Sequence, residues 1–105
     1  MGSNRERICT MRVQTSPGEI LLEEFMKPLA LSGSELARHL KVPSNRVNDI
    51  VRNRREISAD TALRLARYFG TTARFWLNAQ AAYNLSKAVS EDAGRIESEV
   101  RPRAA

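Results

Sequence analysis

The chain has 105 residues, 42% of them hydrophobic, with 17 Lys and Arg against 12 Asp and Glu, a net charge of +5 and a pI near 10.1. That length suits one domain with a modest core, and the basic balance points to a polyanionic partner. Cys9 is the single cysteine, which excludes an internal disulfide, and no run approaches the ~18 apolar residues of a membrane span; a cytoplasmic protein is expected.

In chain order, residues 1–14 are polar and basic without a helical period, which predicts a flexible arm. A first helix opens at Ser16-Pro17-Gly18-Glu19, where serine can cap, proline suits the first helical position and glutamate can complete a capping box. Ile20, Leu21, Phe25 and Met26 give it an apolar face, and Pro28 stops it. A second capping box, Ser32-x-x-Glu35, starts a helix with Leu36, Ala37 and Leu40 inward. After Val42-Pro43, Ser44 can cap a third helix that buries Val47, Ile50 and Val51, and Asn53 suits the left-handed conformation that ends a helix. Ser58 caps a fourth helix with Ala62, Leu63, Leu65, Ala66 and Phe69 inward, closed by Gly70. Thr72 opens the last and longest helix, expected to end near Val89. Residues 91–105 are charged and interrupted by Gly94 and Pro102, which predicts a flexible tail after a domain spanning 15–90, with a short helix around Arg95–Arg101 as the alternative. No segment has strand character, so the fold class is all-α with five helices.

Residues 32–53 have the form of a helix-turn-helix. Ala37 is the small residue that lets the second helix cross closely, and Leu36, Leu40, Val42, Val47 and Ile50 lock the pair. Between Arg38 and Glu56 stand six cations and two anions, a clustering that favours phosphate contact over a mixed solvated face. The second helix presents Ser44, Asn45, Arg46, Asn48, Asp49 and Arg52 on its non-core sides. Asn can bond adenine bidentately and Arg can bond guanine, whereas Asp49 either points to solvent or accepts from cytosine. Arg54 and Arg55, in the following loop, suit the DNA backbone.

Nothing in the chain assembles a catalytic or metal centre. His39 is the only histidine and has no partner at ligand spacing, Cys9 has no histidine beside it, and Glu23 and Glu24 face different directions on a helix. Neither an enzyme nor a cofactor is expected.

The last helix carries more apolar surface than a small core needs. Phe75, Ala79, Ala82 and Ser86 lie on one side at near-helical spacing, and Trp76, Tyr83 and Leu85 extend the surface; Leu77 completes the core. This predicts a homodimer that packs through that helix, with two recognition helices in successive major grooves ~34 Å apart.

Residues 16–85 resemble the HigA-type antitoxins of the lambda-repressor-like (Xre) helix-turn-helix proteins. The resemblance rests on the opening SPGE, the stretch ELARHLKVPSNRVNDI, and above all RREISADTALRLARYFG and FWLNAQAAYNL. It implies a homodimer bound to a palindromic operator in its own promoter, and neutralisation of a RelE-like ribonuclease toxin (HigB). It places Ser44, Asn45, Asn48 and Asp49 in the recognition helix and Arg54 and Arg55 in the basic loop. A stand-alone Xre-type repressor without a toxin is the alternative, and a helical protein-interaction module with incidental charge is a third reading. Three departures stand out: Gly33 replaces a frequent phosphate-bonding glutamine, Lys41 stands at the usual turn glycine, and Arg52-Asn53 fill the usual Asn-Gly pair.

Overall fold

The computed structural model describes residues 14–103; the rest of the predicted arm, with Cys9, lies outside them. All regular structure among the described residues is helical. α1 (Pro17–Ile20) runs into a π-helical segment (Leu21–Met26), followed by α2 (Gly33–Leu40), α3 (Ser44–Val51), α4 (Ala59–Phe69) and α5 (Ala73–Glu99). No helix among them is long and apolar enough to cross a membrane.

The helix starts follow from serine and threonine chemistry. Ser16, Ser32, Ser58 and Thr72 each adopt extended backbone and accept the N–H of the residue three positions on. At Ser32 the capping box is complete, since Glu35 Oε1 accepts the Ser32 N–H at 2.9 Å. At Ser16 only the serine half forms.

Three helix ends share one device. Ala30, Lys41 and Asn53 have φ of 54°, 62° and 62°, and each sits in a Schellman closure. Leu31, Val42 and Arg54 donate to the carbonyls of Met26, Ala37 and Asp49, while Ala30, Lys41 and Asn53 donate to Lys27, Arg38 and Ile50. None of the three is glycine. The left-handed turn expected at Asn53 is present, Lys41 adopts the conformation of the turn glycine whose place it takes, and Ala30 carries no sequence signal for its turn.

The core joins Leu21, Met26, Leu36, Ala37, Leu40, Val47, Ile50, Ile57, Ala62, Leu65 and Trp76. Phe25 packs between Phe69 and Trp76, with ring centroids 4.9 and 5.0 Å away. Gly18 seats α1 against the end of α3: a Cβ there would run into the Ile50 carbonyl, so only glycine permits this approach.

Several expectations need correction. Leu63 is 63% exposed and Leu77 is also exposed, so neither completes the core. Ile57, in the loop before α4, is buried instead. Gln14, assigned to the arm, donates its N–H to Ser86 Oγ at 2.8 Å and so joins the folded domain. α5 does not end near Val89 but continues through Gly94 to Glu99, with Arg95 bridging Asp92 and Glu99 along its surface. Its 27 residues span about 40 Å and set the 52 Å long axis of the molecule.

Candidate nucleic-acid interface

α2 and α3 cross closely because Ala37 is buried at their junction, with Leu36, Leu40, Val47 and Ile50 buried around it. The turn between them is Lys41-Val42-Pro43. Pro43 supplies the N-cap position of α3, so Ser44 is already the first helical residue and makes no capping bond. The expectation that Ser44 caps is thereby corrected: its hydroxyl is exposed and free for an external partner.

At ~100° per residue, burying Val47, Ile50 and Val51 turns Asn45, Asn48, Asp49 and Arg52 to one outer face, with Ser44 at its edge. Asn48 lies over the start of α2. A Cβ on Gly33 would meet the Asn48 Oδ1, so the missing side chain at 33 makes room for this amide. Arg52, Asn53, Arg54 and Arg55 are all exposed. The Arg55 guanidinium lies 3.9 Å from the Asp49 carboxylate, which tempers that carboxylate's repulsion of phosphates.

Arg46 has a partner within the chain. Its guanidinium donates to Asp60 Oδ2 at 3.1 Å, and the same oxygen accepts from Arg64 Nε at 2.9 Å. Arg64 Nη1 also donates to the Leu40 carbonyl at 2.8 Å, satisfying the exposed end of α2. The hydrogen bond from Arg64, aided by its charge and by Arg46, holds the Asp60 carboxyl below its ordinary range. Arg46 thus ties α3 to α4, whereas the other seven predicted DNA contacts remain on the outer face or loop.

α5 braces the loop that follows α3. The Asn53 amide donates to the Tyr83 hydroxyl at 2.6 Å, and the buried Ile57 N–H donates to Gln80 Oε1 at 2.8 Å. Neither partner was foreseen, because no local pattern tells which loop a helix face will meet. Three residues expected at a dimer surface are engaged inside the chain. Trp76 is 0% exposed and donates its indole N–H to Thr71 Oγ1 at 2.8 Å; Ser86 is buried and bonded to Gln14; Tyr83 faces Asn53. Trp76 and Ser86 therefore have no surface left for a second copy. Phe75 and Ala82 are exposed, as are Leu85 and Ile96 farther round the helix, while Ala79 is half-buried.

His39, the lone histidine, stacks on Tyr68 with centroids 5.1 Å apart and rings 17° from parallel. Among the described residues no three His, Cys, Asp or Glu side chains gather as a metal site would require.

The helix-turn-helix family model HTH_3 matches residues 22–76. Antitoxin HigA-1 of Vibrio cholerae is 37% identical over 76 residues, covering 72% of this chain and 71% of that protein. The structure of Pseudomonas aeruginosa antitoxin HigA with the higBA promoter superposes with a TM-score of 0.82 at 48% identity, covering 89% of this chain and 100% of that one. Antitoxin GraA in complex with its operator gives a TM-score of 0.83 at 44% identity, covering 90% and 95%. The chain belongs to the helix-turn-helix family and, within its lambda-repressor-like (Xre) branch, to the HigA-type antitoxins.

Proposed function

We propose that this protein is a homodimeric antitoxin that represses its own operon and neutralises a RelE-like toxin of the HigB type encoded beside it. The observation that carries the DNA-binding part is the outer face of α3, where Asn45, Asn48 and Arg52 project together above the exposed Arg54–Arg55 loop. That surface pairs groups able to read base edges with cations that hold the backbone. Two similar antitoxins were solved with promoter or operator DNA, which supports the reading that this protein binds DNA.

The dimer is supported by the outer side of α5. Phe75, Ala82, Val89 and Ile96 recur at seven-residue spacing, and Leu85 adds a further exposed apolar side chain. A second copy on this stripe would present two α3 helices to one side of a palindromic operator. Toxin neutralisation rests on membership of the antitoxin group.

Footprinting upstream of the gene is expected to protect an inverted repeat, with affinity falling steeply as salt rises. Asn45→Ala should relax sequence choice, whereas Arg54→Ala should weaken binding to every sequence alike. Co-expression with the neighbouring reading frame should rescue cells from that frame's toxicity. An operator footprint with no toxic neighbour would leave the stand-alone repressor as the correct reading.

A further inference from the structure

One polar cavity adjoins the Arg54–Arg55 loop, and two residues of its wall, Asn84 and Lys87, have no part in the roles assigned above. It has a volume of about 230 Å³ and lies between the loop after α3 and the inner face of α5. At about 30 Å³ per water, it holds several waters or one phosphate group. Its wall carries Arg54, Arg55 and Lys87 against a single carboxylate, Glu56. Among the described residues, Arg54 and Lys87 make no ion pair.

The α5 side of this cavity is held in place. Tyr83 accepts the Asn53 amide at 2.6 Å, and the Lys87 ammonium lies 6.0 Å from the centroid of the same tyrosine ring. Gln80 accepts the Ile57 N–H and donates to Asn84 Oδ1 at 3.1 Å. Asn84 therefore uses its acceptor inward, while its Nδ2 donors have no partner among the described residues. Cations and unused donors converge, which is what an anion requires.

We propose that α5 is part of the DNA-contacting surface: Lys87 and Asn84, facing the Arg54–Arg55 loop, seat one phosphodiester of the duplex. This rests on the operator-binding reading above. It gives α5 a second role, because the helix proposed to join two copies would also grip the backbone beside each recognition helix.

The test is operator binding by the full-length Lys87→Gln variant across a salt series, beside Lys87→Arg, Asn84→Ala and Arg54→Ala, with sedimentation reporting the oligomeric state of each. Loss of one phosphate contact per protomer should weaken binding roughly fivefold per protomer at ~0.15 M salt and reduce the salt slope by about one per protomer, on every sequence alike. Lys87→Arg should retain the slope, and Asn84→Ala should lower affinity with the slope unchanged. If Arg54→Ala weakens binding but Lys87→Gln leaves affinity and slope at the native values, the seat is overturned and the operator reading stands. If Lys87→Gln acts on some sequences and not others, or only by dissociating the dimer, the seat is likewise overturned. If the native protein shows no operator preference, the operator reading itself fails.

Discussion

The α2–α3 pair and α5 are specified in different ways. Within α2–α3 the determinants are local: Ser32 and Glu35 cap one another, Lys41 and Asn53 close their helices, and apolar residues recur at helical spacing. In α5 the determinants are distant. Trp76, Gln80, Tyr83 and Ser86 line the inner face by bonding Thr71, Ile57, Asn53 and Gln14, three of them on other elements of the fold. A helix start is therefore visible in a few letters, whereas the side a helix turns inward depends on neighbours that periodicity does not name.

The sharpest way to separate the two kinds of specification is Trp76. Truncating a fully buried aromatic side chain costs about 3–5 kcal/mol, so Trp76→Ala should bring the domain to the edge of unfolding. Leu63→Ala, at a position that periodicity places inward but which is 63% exposed, should change stability by less than about 0.5 kcal/mol. Urea denaturation of both variants checks the pair. Comparable losses would mean that the inner face of α5 is not where the structure puts it.

Gln80 gives the next largest effect. Its Oε1 is the acceptor for the buried Ile57 N–H, and Gln80→Leu keeps the bulk while removing that acceptor. An orphaned buried donor costs about 1–3 kcal/mol, measured as a lower denaturation midpoint. Amide exchange at Ile57 should accelerate in the same variant, which ties the loss to this bond and not to repacking.

These contrasts show how much was legible. All five helices, four of their capping residues and most of the core followed from caps and spacing. So did the outer face of α3, because burying Val47 and Ile50 leaves only one side for Asn45, Asn48 and Arg52. The Arg46–Asp60 bond was not legible because Asp60 lies 14 positions away in sequence and on another helix. The end of α5 lies beyond Val89 because Gly94, which lowers helix propensity, is outweighed by good helix formers such as Glu91, Arg95 and Glu97 and by the Arg95 bridges to Asp92 and Glu99. The bond between Ile57 and Gln80 was missed because the two lie 23 positions apart, one in a loop and one on α5.

Smaller effects belong to the local side of the comparison. Lys41 holds φ 62° and ψ 44° with an exposed side chain, a conformation that favours glycine. Lys41→Gly should raise stability by about 0.5–1 kcal/mol, read as a higher denaturation midpoint. A loss instead would show that the lysine side chain makes a contribution larger than the backbone strain it brings.

The mildest expected effect is a dependence on acid. The Glu35 carboxyl lies below its ordinary value of 4.5, first because of the hydrogen bond from the Ser32 backbone, then because of the Ser32 side chain. Asp60 lies below its ordinary value of 3.8, first because of its bond from Arg64. A carboxyl whose pKa is depressed on folding stabilises the folded state at pH above its unfolded value, and loses that contribution as pH falls through the folded value. Stability should therefore be level near neutrality and decline from about pH 4.5 downward as Glu35 and Asp60 take up protons. Both groups are exposed, so salt screening keeps the decline shallow. Glu35→Gln with Asp60→Asn should flatten the acid limb of a denaturation-midpoint series without reversing it, because the remaining carboxylates still titrate. An unchanged limb would place the acid sensitivity elsewhere and detach these two carboxylates from the stability of α2 and of the α3–α4 junction.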